Sequence, residues 1–285
     1  MNISDNISYF CNAFANSIKS CAKILLLSKS YNRTPIIASS EELVILGNGP
    51  SLNDTLTDSL AFLKSRRLLA VNFAANTDMF CTLKPEFYVL ADPHFFISQE
   101  QPNVSNLWDT LSKKVDWNIT LFIPANIKRS GSWYDDIRSN TNINLVFYNT
   151  TAVEGFKWLE NLCFSRGLGM PRPRNVLIPS LMIALRMRFK TIYLAGADHS
   201  WTRTISVNDN NEVVSIQPHF YKEEDTEKKR VNTEYMKYPL YKIMYSFYIA
   251  FKSYFTIKRY ADKIGATIWN ITPGSFIDAF PRKNI

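Results

Sequence analysis

Short apolar runs separated by polar, helix-prone segments order the chain from residue 41 onward. The first is Leu43-Val44-Ile45-Leu46, closed by Gly47. Four apolar residues bounded by a turn signal predict a strand buried on both faces. Comparable runs follow at Leu68–Asn72, Phe87–Asp92, Leu121–Pro124, Leu145–Tyr148, Thr191–Asp198 and Thr267–Asn270. Helical segments lie between most of them. This alternation predicts an α/β fold, a Rossmann-like and mostly parallel sheet with helices on both faces. Upstream, Ile3, Ile7, Phe10, Phe14, Ile18, Cys21 and Leu25 recur at steps of three and four. That period predicts an amphipathic helix through about Leu27, docked on the domain or on a second subunit, or laid on an anionic membrane surface. Two parts result: helix and polar linker over 1–40, and one domain over 41–285.

Within the second half, Asn175 to Arg188 reads as an apolar helix packed on the sheet, with Pro179 in its first turn. Before it lies a stiff loop with three nearby cations, Arg166, Arg172 and Arg174, suited to phosphate or carboxylate or simply solvated. A lid is expected over about 200–235, charged from Lys222 to Arg230. From Thr233 to Lys263 an aromatic and basic helical segment follows. Its Tyr235, Tyr238, Tyr241, Tyr245, Tyr248, Phe251 and Phe255 read mostly as a core-facing stripe, with an acceptor-binding or membrane-interface wall as the other reading.

Composition narrows the partners. The chain has 285 residues, 46% hydrophobic and 20% charged, which is globular, and a net charge of +8. The positive balance favours an anionic partner: nucleotide, phospholipid surface or acidic glycan. No nucleic-acid-binding motif occurs, so nucleic acid is not expected. Cys11, Cys21, Cys81 and Cys163 form no Cys-x-x-Cys pair, and three histidines are too few for a zinc cluster. They read as reduced core thiols of a cytoplasmic protein, with no leader and no membrane-spanning run.

The chemistry is expected along one sheet edge. Gly47-Asn48-Gly49-Pro50-Ser51 follows the first strand, a geometry that offers backbone N–H groups to a phosphate at a helix start. It lacks the third glycine of the dinucleotide fingerprint and the Gly-Lys-Ser/Thr of a P-loop. Asn48, Asn72, Asp92, Asp198 and Asn270 each fall at or just past a strand's C-terminal end, where open α/β sheets bind ligands. Three histidines are available as general base: His94, His199 and His219. His219 is preferred because it lies in a loop able to close on substrate. No Asp-x-Asp occurs, which favours metal-independent chemistry without a cofactor, with Tyr221 and Arg174 to stabilise leaving-group charge.

These residues resemble a known family. ILGNGPSL, an Asn after the second strand, KTIYLAGADHSW, a His-aromatic pair and WNITPGSFIDAF come in the order seen in the bacterial sialyltransferases of glycosyltransferase family 42. The chain is equally similar to the MptE-like domain of a 6-hydroxymethylpterin pyrophosphokinase and of flagellin-modifying transferases. The resemblance covers about Glu41 to Arg282. It implies a nucleotide-sugar-binding catalytic domain, with Gly47, Asn48, Gly49, Pro50, Ser51 and Asn72 on the nucleotide of a CMP-sugar. It also implies nucleotide contacts from Gly196, Asp198 and the adjacent His199. Asp92 stands where the sialyltransferases have Asn. His219 would be the base, Tyr221 a phosphate ligand, and Asn270, Thr272 and Ser275 the closure of the nucleotide site. Those enzymes carry Thr-Ser-Gly where this chain has Asn175-Val176-Leu177, which leaves the donor open between sialic acid and another nucleotide-activated sugar, other nonulosonic acids among them.

The leading expectation is a metal-independent glycosyltransferase with a CMP-linked donor and a glycan or lipid-linked acceptor. It would work in bacterial surface glycan assembly, in the cytoplasm or peripherally on the inner membrane, with homo-oligomerisation left open. The alternatives are Mg²⁺-dependent diphosphate transfer from ATP to 6-hydroxymethyl-dihydropterin, with Asp92 and Asp198 holding the metal, and a non-catalytic nucleotide-binding scaffold.

Overall fold

In the computed structural model the apolar runs become seven parallel strands of one sheet. The structure describes residues 3–29, 34–36, 42–215, 220, 233 and 235–285. The chain enters through α1 (Ile3–Leu27), and β1 (Glu42–Leu46) leads through α2 (Leu52–Asp58) and α3 (Leu60–Lys64) into β2 (Arg67–Val71). A 3-10 turn at Asn72–Asn76 and α4 (Asp78–Leu83) precede β3 (Phe87–Val89). Next come α5 (His94–Ile97), α6 (Pro102–Asp109), β4 (Ile119–Pro124), α7 (Ser132–Ser139) and β5 (Ile143–Tyr148). The second half holds α8 (Lys157–Arg166), α9 (Leu177–Arg186) and β6 (Thr191–Ala195). A hairpin of β7 (Ile205–Val207) and β8 (Val213–Ser215), then α10 (Leu240–Lys263) and β9 (Thr267–Asn270), complete the chain.

The strand order is β5-β4-β3-β2-β1-β6-β9. Winding therefore runs one way from β1 to β5 and reverses at β6. The reversal puts a crevice between the carboxyl ends of β1 and β6, the place where doubly wound sheets bind ligands. Alternation along the strands sorts the two layers. Leu43, Ile45, Leu69 and Val71 face a cluster with Leu181, Met182 and Leu185 of α9. Val44, Leu46 and Leu68 face the other layer, with Leu52 of α2 and Leu63 of α3. α9 is buried at every position from Leu177 to Leu185, between the sheet and its neighbours α8 and α10. A helix apolar on all sides belongs in such an interior.

Two helices correct the expectations from spacing. α1 docks on the domain, but not by its apolar stripe. Its buried positions are Ala13, Ser17 and Ser20. Small side chains let the helix come close, and hydroxyls meet the loop before α8: Phe156 N donates to Ser17 Oγ at 3.0 Å, and Ser20 Oγ donates to Glu154 O at 2.7 Å. Ile7, Phe10, Phe14, Ile18 and Leu25 are left exposed. Cys11 and Cys21 are exposed with them, so only Cys163 is a fully buried thiol. On α10, likewise, the buried stripe is Ile243, Phe247, Ala250, Tyr254, Ile257 and Ala261. Tyr238, Tyr241, Tyr245, Tyr248 and Phe255 face outward. That helix proper begins at Leu240, because Pro239 before it is extended at ψ 152°. The Asn208–Glu212 stretch forms the turn of the β7–β8 hairpin. His219, Tyr221 and the charged lid segment lie outside the described residues.

Candidate functional site

The crevice at the switch point is built from two turns locked to each other. β1 and β6 run in register to Leu46 and Ala195, and both strands then meet a glycine. Gly47 N donates to Ala195 O at 2.8 Å and Gly49 N to Gly196 O at 2.9 Å. Two N–H groups of the turn, those of Gly47 and Gly49, therefore tie the turns together. The glycines are needed for closeness. A Cβ on Gly47 would lie 2.4 Å from Gly196 O, and one on Gly49 would lie 1.9 Å from Asp198 Oδ2. Ser51 does not cap α2 with its side chain; its Oγ donates to Asp198 Oδ2 at 2.7 Å. The Asp198 carboxylate is thus aimed by the Gly47 turn.

Around this lock opens a cavity of about 480 Å³. Small-molecule sites run roughly from 300 to 1,000 Å³. Nine of the residues singled out above line it: Asn48, Gly49, Pro50, Asn72, Asp92, Arg174, Gly196, Asp198 and His199. They come from four strand ends and one loop, far apart in sequence. Two of them hold the left-handed conformation rare for side-chain-bearing residues, Asn72 at φ 49° and His199 at φ 52°. Such strain concentrates where a side chain must be aimed. Asn48 Nδ2 donates to Val71 O at 3.3 Å, while Asn48 Oδ1 and Asn72 Oδ1 are buried without a hydrogen bond among the described residues. These amide oxygens are acceptors held ready at the cleft wall.

One wall was not foreseen. Asn175 Oδ1 accepts from Leu177 N at 3.0 Å and Ile178 N at 3.3 Å, so it caps α9. Two backbone donors fix which side-chain atom is the oxygen. Tyr254 OH therefore donates to Asn175 Oδ1, at 3.0 Å. With its only proton engaged there, Tyr254 must accept from His199 Nε2, 2.6 Å away. Burial pushes the His199 pKa down from 6.5 to about 3, so the ring is neutral. Its Nδ1 then carries the lone pair, and no described residue donates to it. Trp201 lies against the ring at 4.1 Å between centroids and lines the same cleft. Asn175 Nδ2 is buried without a hydrogen bond among the described residues. The sequence signal for this wall was an Asn cap after a Pro-rich loop; its partner Tyr254 arrives only through the packing of α10.

The cleft carries charge of both signs. Arg174 and the N-terminus of the ten-residue α9 bring positive potential to the cleft, and Asp92 and Asp198 bring negative charge. Of the three loop cations, only Arg174 reaches the cleft. Arg172 is paired with Glu154 at 3.1 Å in a separate cavity, and Arg166 ends α8. Asp92 Oδ1 accepts from His94 N at 2.9 Å, which begins α5. Asn126, Ile127 and Thr150, past β4 and β5, close the far end.

Asn270, Thr272 and Ser275 lie behind the cleft and do not line it. Thr272 Oγ1 donates to Leu194 O at 3.1 Å and accepts from Ala197 N at 3.0 Å. Ser275 Oγ donates to Ala197 O at 2.6 Å, and Asn270 Nδ2 to Ser275 Oγ at 3.0 Å. They brace the loop that carries Asp198. Among the described residues no three His, Cys, Asp or Glu side chains cluster as a metal-binding group.

No protein-family model and no curated protein sequence matches the chain. Among solved structures it is similar to the MAf glycosyltransferase from Magnetospirillum magneticum AMB-1. The TM-score is 0.48 and the identity 13%, over 96% of this chain. The chain spans 38% of the length of that protein.

Proposed function

We propose that the chain is a glycosyltransferase that takes a CMP-linked acidic sugar and passes it to a surface-glycan acceptor. The observation that carries the reading is the anchoring of Phe220. Its N–H donates to Asn48 O at 3.0 Å, and its carbonyl accepts from Asn53 Nδ2 at 2.9 Å. The residues on either side of it in the chain are His219 and Tyr221. His219, the chain neighbour of that anchor, is the residue we assign as base for an acceptor hydroxyl attacking a donor held at the Gly47 turn. His219 takes the hydroxyl proton, the oxygen bonds to the anomeric carbon, and the bond from that carbon to the CMP phosphate breaks. The base and sugar of the nucleotide would be read by the spare amide groups of Asn48, Asn72 and Asn175, and the phosphate by Arg174 and Tyr221.

A second reading, diphosphate transfer from ATP to a pterin, draws support from Asp92 and Asp198 lining one cleft. A nucleotide panel (CMP, CDP, UDP, GDP, ATP), with and without Mg²⁺, separates the two. A nucleotide at about 100 times its Kd stabilises by about 2.7 kcal/mol, a readable rise in Tm. Stabilisation by CMP or CDP without metal is expected; stabilisation by ATP only with Mg²⁺ favours the pyrophosphokinase. No shift with any nucleotide refutes both. Full transfer activity in His219→Ala with a verified donor removes the assigned base.

A further inference from the structure

Two helices on one side of the sheet turn apolar faces to solvent. On α1 these are Ile7, Phe10, Phe14, Ile18 and Leu25. On α10 they are Tyr241, Met244, Tyr245, Tyr248 and Phe255, with Tyr241 69% exposed and Tyr245 60%. Both helices pack into the same core cluster as α8 and α9, through Ile24 of α1 and through Tyr254 and Ile257 of α10. Their outer faces therefore lie on the same side of the molecule. Side chains of this size on two adjoining helices exceed the scatter of single apolar residues normal for a surface.

The chemistry around them selects an occupant. α10 carries Lys242, Lys252 and Lys263, while its Lys258 pairs with Asp262 and its Arg259 with Glu160 of α8. Lys252 Nζ sits 5.8 Å from the Tyr248 ring centre, and Tyr245 stacks on Tyr248 at 6.0 Å. α1 carries Lys19 and Lys23 against Asp5. Tyrosine rings with lysines interleaved suit the boundary between lipid headgroups and acyl chains. A second copy of this chain would set the same cations face to face, since a two-fold interface repeats one patch. Among the described residues no helix is long and apolar enough to cross a membrane. At about 1.5 Å per residue, the 25 residues of α1 give about 37 Å of helix to lie along a surface.

We propose that this side of the molecule binds an anionic membrane surface, with the stripe of α1 and the outer tyrosines of α10 entering the headgroup layer. The assignment is independent of the donor chemistry. It would set α10 between lipid on its outer face and, through Tyr254, the cleft on its inner face.

The test is co-sedimentation of the full chain with vesicles of phosphatidylglycerol and phosphatidylethanolamine, against vesicles of phosphatidylcholine alone. Two variants accompany it, Tyr241→Ser/Tyr245→Ser/Tyr248→Ser and Ile7→Ser/Phe14→Ser/Ile18→Ser. All six positions are exposed, so circular dichroism and Tm should match the unaltered protein. Binding to the anionic vesicles is expected, at least tenfold weaker in each variant and weakened by added salt. No binding to anionic vesicles, or undiminished binding in either variant, overturns the proposal. A concentration-dependent dimer lost in the same variants, without lipid binding, would give the face to a second copy and overturn it equally.

Discussion

Acidification tests the buried histidine of the cleft. His199 is 9% exposed, and burial lowers its pKa from 6.5 to about 3. Between those values the unfolded chain binds a proton that the folded chain refuses. The sign follows: the contribution of His199 is fully present above pH 6.5 and is lost as pH falls toward 3. Over the whole interval the loss is about 5 kcal/mol, and by about pH 4.5 it has reached about 3 kcal/mol. Carboxylates titrate in the same window, so the comparison needs a reference protein. His199→Asn supplies one: asparagine tolerates the φ of 52° and does not titrate. Urea unfolding of both proteins at about pH 7 and about pH 4.5, at constant ionic strength, isolates the histidine. The unaltered protein should lose about 3 kcal/mol more than the variant on acidification. Equal losses would refute a neutral, buried His199 and with it the assignment of the Nδ1 lone pair.

Tyr254→Phe deletes the hydroxyl between His199 Nε2 and Asn175 Oδ1 and should cost about 1–3 kcal/mol in urea unfolding, because a buried N–H loses its acceptor. Gly49→Ala should lower Tm by the equivalent of about 1–3 kcal/mol, since the new Cβ meets Gly196 O at 2.8 Å as well as the Asp198 side chain. Asn72→Gly should leave Tm unchanged or raised, because glycine relieves the φ of 49°, while nucleotide-induced stabilisation falls at least tenfold in apparent affinity. Retained affinity there would show that the Asn72 amide serves the turn alone.

The sheet was legible because its strands are buried on both faces and so read as unbroken apolar runs, Leu43 to Leu46 being the clearest. The polar residues capping those runs located one wall of the cleft, since Asn48, Asn72 and Asp198 each follow a strand end within a few residues. Helix orientation was not legible. α10 carries two apolar stripes, each at steps of three and four, and spacing alone does not say that Phe247 and Tyr254 turn inward while Tyr245 and Tyr248 turn outward. In α1, hydroxyl bonds and close approach at Ser17 and Ser20 outweigh the burial of a longer apolar stripe. Asn270, Thr272 and Ser275 were visible as a polar group near a strand end. Their bracing role rests on partners at Leu194 and Ala197, which one-dimensional reading does not supply.

The lock between the Gly47 turn and the end of β6 also has a temporal meaning. Its hydrogen bonds join residues separated by about half of the 285-residue chain, and its brace comes from Thr272 and Ser275 near the far end. Contacts so remote in sequence close late in folding. A nascent chain emerging from the ribosome carries β1 to β5 long before β6 exists to receive the amides of Gly47 and Gly49. The cleft is therefore lined only once β6 has been made, and a chain stopped before the final strand would carry every lining residue while lacking the brace from Thr272 and Ser275 on the loop that bears Asp198.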